Sequence, residues 1–221
     1  MSGLSVVEIF QGLITEATSG RLGADVYASL FRLLAGLFLA IIIGTPAGLW
    51  LGHHVRLRKL LVPPLNFLRS ISPLAWIPFA VVWFGVGDPP VVFLVFVGCV
   101  LPWLFATAHA VQSVPEVYFR VARDHNFQGW ELLSRITFPA IAPSLLQTAR
   151  LVATLGWIIL VPAEMLAGRE GLGFAIMDAR NGMRIDLLIV NILAIGALAH
   201  GADTLLQRLA LRPEVRWGHE R

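Results

Sequence analysis

Residues 115–145, PEVYFRVARDHNFQGWELLSRITFPAIAPSL, decide how the chain is read. They form the only long polar interruption in an otherwise membrane-like sequence, carrying Arg120, Arg123, Asp124, His125, Asn126, Gln128, Glu131 and Arg135 between two hydrophobic runs. Val117, Val121, Trp130, Leu133 and Ile136 are spaced helically among these charges. Proline suits a first helical turn and breaks a helix interior, so Pro115 opens the segment while Pro139 and Pro143 punctuate its return to the membrane. The pattern predicts a short amphipathic helix outside the bilayer, then a bend and a new span. A plain connector would account for the polarity alone. A rigid external helix is what a soluble partner would push on.

The rest of the chain supplies the membrane. Of 221 residues, 57% are hydrophobic and 14% charged, with mean hydropathy +0.73; soluble domains carry about 25% charged residues. This excludes an ordinary soluble fold, and the size suits one bundle. A sequence pI near 9.7 is explained by basic cytoplasmic loops, so no nucleic-acid partner is expected. The lone Cys99 excludes an intramolecular disulfide and a cysteine metal site. The N-terminus MSGLSVVEIF has no basic n-region, so no cleavable signal peptide is expected.

Residues 1–26 read as an extracytoplasmic amphipathic segment, with a Ser-Gly break at 19–20; they are too short and charged to cross about 30 Å of hydrocarbon. Residues 27–212 read as five spans: about 27–52, an interrupted second span (60–69, a break at SISP, then 74–87), 91–112, 140–165 and 187–208. Gly36, Gly44, Gly48 and Gly52 recur at multiples of four, a ridge that lets helices approach closely. Gly85 to Pro90 predict a tight exposed turn, and 167–186 a polar, glycine-rich loop. Residues 213–221 read as a basic cytoplasmic tail. With 115–145 in the cytoplasm, ten basic residues lie inside (56, 58, 59, 120, 123, 135, 208, 212, 216, 221) and four outside (21, 169, 180, 184). This obeys the positive-inside rule and gives N-out, C-in.

The 115–145 stretch resembles the signature loop of permease subunits of type I ABC importers, which reads Glu-Ala-Ala, three residues, Gly, nine residues, Ile, a spacer, Leu, Pro. Here those positions hold Arg120, Val121, Ala122, Asn126, Ile136, Phe138 and Pro139. The spacing fits without a gap; the Glu and the Gly are absent. Asn, like Gly, tolerates positive φ. Residues 29–52, 72–88 and 157–186 resemble the nitrate, sulfonate and taurine group, in which Ala-Glu-Met-Leu precedes Gly-Leu-Gly and Asp-Ala-Arg-Asn, here Ala163–Leu166, Gly171–Gly173 and Asp178–Asn181. The likeness covers about residues 5–212. Members of that group usually carry one more N-terminal span, so packing at the bundle edge is where a difference is expected.

The resemblance implies an all-α membrane protein of the type I importer permease fold, multi-pass in a bacterial inner membrane. It implies a permease homodimer, two ATP-binding subunits that bind ATP and magnesium, and a periplasmic or lipid-anchored substrate-binding protein. No cofactor is expected in this chain, which has no GxxxxGK[ST] loop. In the family the signature loop is a coupling helix, which assigns coupling to Arg120, Val121, Ala122, Asn126, Trp130, Ile136 and Pro139. Intramembrane charges usually face a bundle interior, so Glu164, Arg150 and Arg69, with Trp76 and Phe84, are assigned to the translocation path or gate. Arg150 paired with a carboxylate of another span is the structural alternative. Arg32 is expected to snorkel to the interface, and His109 to be an interior hydrogen-bonding residue. Asp178, Arg180, Asn181 and Arg184 are assigned to the binding-protein side.

The transported solute is expected to be small and anionic, of sulfonate, taurine, nitrate or bicarbonate type. A membrane-embedded enzyme is disfavoured by the scatter of the six histidines. A channel, a secondary transporter or a permease with altered coupling stand as alternatives.

Overall fold

The computed structural model describes residues 6–210, and every element in that range is helical. The cytoplasmic-tail assignment for 213–221 falls outside the described residues. Helix α1 (Val6–Thr18) is followed by Gly20 at φ 74° and then by α2 (Arg21–His53). Next come α3 (Val55–Ser70), a 3₁₀ turn at Pro73–Trp76, α4 (Ile77–Phe84) and α5 (Asp88–Ser113). The signature segment folds as α6 (Glu116–Asp124), a single turn α7 (Trp130–Leu132) and a π-helical stretch Leu133–Thr137, leading into α8 (Phe138–Ala167). Helices α9 (Leu172–Asn181) and α10 (Ile185–Ala210) complete the bundle.

The glycine ridge sets the main packing. A Cβ built on Gly48 would lie 2.6 Å from the Leu104 carbonyl oxygen, and one on Gly52 2.7 Å from Val111 Cβ. Gly36 meets Val95 and Gly44 meets Trp103 in the same way. The order of these partners shows that α2 and α5 run parallel. Trp103 Nε1 donates to Thr45 Oγ1 at 2.8 Å and fixes their register.

Parallel packing decides the span count. Four helices are long and apolar enough to cross alone, and α3 with the Pro73–Phe84 segment passes as a pair bent by 79°. Because α5 starts at the same end of the bundle as α2, the bent pair must carry the chain back across the membrane. The pair is therefore the second of five spans. Its bend falls at the anticipated SISP break, where Pro73 cannot donate to the helical ladder.

Helix α8 runs antiparallel to α5: the Cys99 thiol faces the Val152 carbonyl at 3.6 Å, while Gly156 approaches Leu33. Leu33, Ala40, Leu94, Val95, Cys99, Val152 and Leu160 form the buried core between α2, α5 and α8. The end holding 21–32, 84–91 and 164–186 is the outer one; 50–60, 108–138 and 203–210 lie at the inner one.

Two sequence expectations are corrected. The helix that carries the first span begins at Arg21 rather than about 27, and Asp25 and Arg32 within it are buried against protein partners. The 167–186 segment is not a plain loop: it contains α9, whose Ala175 and Ala179 are buried.

Candidate functional site

At the inner end, α6 ends in a way its sequence specifies. Asn126 adopts φ 56°, the Phe127 N–H donates to the Ala122 carbonyl at 2.8 Å, and the Asn126 N–H donates to the Arg123 carbonyl at 3.0 Å. This is a Schellman closure with asparagine in the left-handed position usually taken by glycine. The helix therefore stops at Asp124, and Trp130 opens the next turn instead of continuing the same helix. Downstream, Pro139 and Pro143 lack the N–H groups that would extend the ladder, and the π-helical stretch absorbs the mismatch before α8.

The signature residues divide by where they point. Ala122 is buried, Ile136 is half-buried, and Phe119 packs on the core with its ring edge-on to His53 at 6.0 Å. Val117, Arg120, Val121, Asn126, Trp130 and Pro139 are exposed, Trp130 by 79%. Arg120 pairs with Glu116 one turn back at 3.4 Å, and Arg123 reaches the same carboxylate at 3.7 Å. Arg135 pairs with Glu131 and lies over the Phe127 ring at 5.2 Å. The result is a braced platform with an apolar exposed edge.

The membrane-edge charges are not one constellation. Arg69 and Trp76 line a groove of about 610 Å³ between the span-two bend and the middles of α5 and α8, with Arg69 over the Phe105 ring at 5.8 Å. Arg150 sits in a second pocket and makes a two-pronged ion pair with Asp203 of α10, both bonds 2.9 Å. Ile158 borders both spaces, so they open beside one exposed face of α8. Phe84 lies apart, at the outer end of α4 against Phe93, with ring centroids 5.4 Å apart.

Glu164 is enclosed at the outer end and borders neither space. It accepts from Arg32 Nη1 at 2.9 Å, from Ser29 Oγ at 2.9 Å and from the Gly173 N–H at 2.9 Å. Arg32 also donates from Nε to Asp88 at 2.6 Å and to the Glu170 carbonyl. The expectation that Arg32 snorkels is wrong: its side chain is 1% exposed, because carboxylates from three other segments enclose it.

The same knot caps α9. Its free N–H groups at Gly171, Leu172 and Gly173 donate to Asp25, Ser29 and Glu164 at 2.8, 2.9 and 2.9 Å, satisfying donors a helix start leaves unpaired. Gly171 stands at φ 107°, and a Cβ there would strike the Glu164 carboxylate and Arg32. A Cβ on Gly173 would strike the Val161 carbonyl. That is the physical content of the Ala-Glu and Gly-Leu-Gly sequences.

On the outer face, Asp178, Arg180, Asn181 and Arg184 are all exposed. Asp178 pairs with Arg21 at 2.6 Å and Arg184 with Asp186 at 2.8 Å. Sequence reasoning missed Asp25, Ser29 and Asp88 as members of the knot. Their signal was the glycine-framed start of α9, which needed side-chain acceptors from elsewhere. His109 is exposed, not interior. His53 and His54 bond backbone carbonyls of their own helix, and no group of three metal-ligating side chains occurs among the described residues.

Five spans, the second of them bent, and a braced inner platform make up a multi-pass membrane bundle. The chain belongs to the family of binding-protein-dependent transport system inner membrane components, whose model matches residues 36–214. It is 32% identical over 194 residues to a putative ABC transporter permease protein of Methanocaldococcus jannaschii, covering 87% of this chain and 72% of that one. It is 35% identical to the bicarbonate transport system permease protein CmpB of Synechococcus elongatus, with 84% and 68% covered. Against the taurine transport system permease protein TauC of Escherichia coli K12 the identity is 30%, with 84% and 67% covered. The fold matches a chain of the inward-facing MetNI methionine ABC transporter with TM-score 0.70 at 18% identity, covering 89% of this chain and 99% of that one. The protein is thus a multi-pass inner-membrane permease subunit of the type I ABC importer class. The channel and secondary-transporter readings are not favoured.

Proposed function

We propose that two copies of this chain form the pathway of an ATP-driven importer for a small anionic solute of the sulfonate, taurine, nitrate or bicarbonate type. Two copies of a separate ATP-binding subunit hold ATP and magnesium and carry out the hydrolysis; this chain supplies no catalytic group. A substrate-binding protein delivers the solute at the outer face, where Asp178, Arg180, Asn181 and Arg184 are presented.

The observation that carries the reading is the inner platform. Val117, Val121 and Trp130 offer an apolar exposed edge to a soluble partner, while Phe119 and Ala122 root α6 in the bundle. Force on the exposed edge passes through the Schellman turn and the π-helical stretch into α8. Helix α8 then moves against the bent second span, and the groove holding Arg69 and Trp76 opens to one side or the other. Ligands at both ends bias such a two-state bundle. Arg69 supplies positive charge in that groove, Arg150 is restrained by Asp203, and Glu164 holds the outer frame rather than gating it. Glu116 beside Arg120 returns a carboxylate to the platform one turn from the family's usual position.

The anionic substrate class is supported by the relatives named for bicarbonate and taurine and by Arg69 in the groove. Reconstituting the chain with its ATP-binding and binding proteins and measuring ATP-dependent uptake of taurine, nitrate and bicarbonate tests it. Uptake of one of these, reduced by Arg69→Ala with ATP hydrolysis retained, supports the reading; uptake of cations or neutral sugars only contradicts it.

A further inference from the structure

The turn between α9 and α10, at the outer end, carries an apolar side chain in an unusual position. Met183 adopts φ 54°, while the preceding Gly182 sits at an ordinary φ of -80°. The Arg184 N–H donates to the Ala179 carbonyl at 2.8 Å, and the Met183 N–H to the Arg180 carbonyl at 3.1 Å. This is the same Schellman closure as at Asn126, with methionine in the left-handed position that glycine fills without strain. Glycine stands one residue away and is not used there. Met183 is also 88% exposed, the highest value among the exposed large hydrophobic side chains of the described residues. Strained backbone positions gather where the placement of a side chain serves a function.

The surroundings of Met183 decide what covers it. Asp178, Arg180, Asn181, Arg184 and Asp186 all stand within five residues of it. So much charge does not lie in hydrocarbon, so lipid tails do not take up this side chain. Asp178 is held by Arg21 at 2.6 Å and Arg184 by Asp186 at 2.8 Å. Arg180 is exposed and has no carboxylate partner among the described residues; its Nη1 lies 3.9 Å from the Met177 sulfur. The turn thus presents one apolar anchor beside one uncommitted cation. An apolar anchor rimmed by charge suits docking of a soluble protein, and methionine adapts its shape to the surface it meets.

We propose that Met183 is the anchor by which the soluble substrate-binding protein docks on this chain. It enters an apolar recess of that protein whose rim carries a carboxylate for Arg180. This rests on the reading that the outer face of an importer subunit receives such a protein, and it narrows the contact. Asp178 and Arg184 are already held within the chain, so Met183 and Arg180 carry the docking.

The test titrates the purified, fluorescently labelled binding protein of the same transport system against the complete complex in lipid nanodiscs. Met183→Gly relieves the backbone and removes the side chain. It should keep or raise Tm while weakening binding by about 10-fold or more. Met183→Leu, of similar volume, should restore most of the affinity. Arg180→Glu should slow association, most strongly at low salt. Natural affinity in Met183→Gly would overturn the proposal and leave the importer reading standing. So would a loss of affinity matched by a lower Tm, which would make Met183 a structural residue. Crosslinking of Met183→Cys to its counterpart in a second copy would also overturn it, making the turn a contact between copies. Failure of the binding protein to bind the natural complex would overturn the importer reading itself.

Discussion

Arg32 of α2 and Glu164 of α8 meet at 2.9 Å with side chains 1% and 0% exposed, joining positions 132 residues apart in sequence. Around them, Asp88 fixes the start of α5 and the Gly171–Gly173 amides fix the start of α9. The outer ends of four helices therefore share one ionic centre. The bent second span and the inner platform lie outside this ionic centre.

Removing Arg32 leaves the buried Glu164 carboxylate without its cation, at a cost of about 3–5 kcal/mol, whereas removing Glu164 leaves Arg32 paired with Asp88 and should cost less. Arg32→Met should sharply reduce the yield of monodisperse protein and lower its Tm, and Glu164→Leu should do so to a smaller extent. The double variant should lose less than the sum of the two. Glu164→Gln, which retains acceptors for Ser29 and the Gly173 N–H, should be the mildest. Size-exclusion profiles and thermal unfolding in detergent check all four; additive losses would contradict the pairing.

The α2–α5 contact makes a second, independent prediction. A side chain at Gly48 meets the Leu104 backbone carbonyl, which has no flexible end to move aside. Gly48→Val should destabilise by about 1–3 kcal/mol through overpacking. Gly196→Ala, where a Cβ meets nothing within 4 Å, should cause no loss. Similar Tm changes for both would show that α2 and α5 are not packed this way.

Much of this architecture was legible in the sequence because the membrane imposes a simple grammar. Uncharged runs such as 33–52 mark spans, and Pro73 marks a bend. What was not legible depended on partners distant in sequence. Arg32 reads as a residue reaching for water because its carboxylates, Asp88, Glu164 and Glu170, lie far along the chain. The α9 segment reads as loop because glycine and charge signal flexibility, yet here they admit and cap a helix. In the signature segment the spacing located the left-handed position at Asn126. It did not separate Ala122, which faces the bundle, from Val121, which faces out.

The turn at Asn126 can be tested alone. Left-handed geometry costs a residue with a Cβ about 1–2 kcal/mol, most for β-branched side chains. Asn126→Gly should preserve or raise stability and keep stimulated ATP hydrolysis. Asn126→Val should loosen α6 and uncouple hydrolysis from transport. Tm and the ratio of solute moved to ATP hydrolysed distinguish them; a fully coupled valine variant would remove the turn from the mechanism.

The exposed edge of the platform should behave as an interface. A large aromatic buried on docking commonly contributes 2 kcal/mol or more, so Trp130→Ala should weaken association with the ATP-binding subunit by roughly 30-fold or more. Its Tm should match the natural chain, because Trp130 is 79% exposed. A binding titration between purified subunits measures the first, and unfolding of the isolated chain the second. A drop in Tm without a change in affinity would make Trp130 a structural residue.

The central claim is that this chain moves its solute only when an ATP-binding subunit acts on the 116–130 platform. The most direct measurement is solute uptake into proteoliposomes holding the complete complex and its binding protein, with and without ATP, for the natural chain and for Trp130→Ala. Uptake should require ATP in the natural chain and be lost in the variant while the bundle stays folded. Uptake that proceeds without ATP, or that is unchanged in Trp130→Ala, would contradict it.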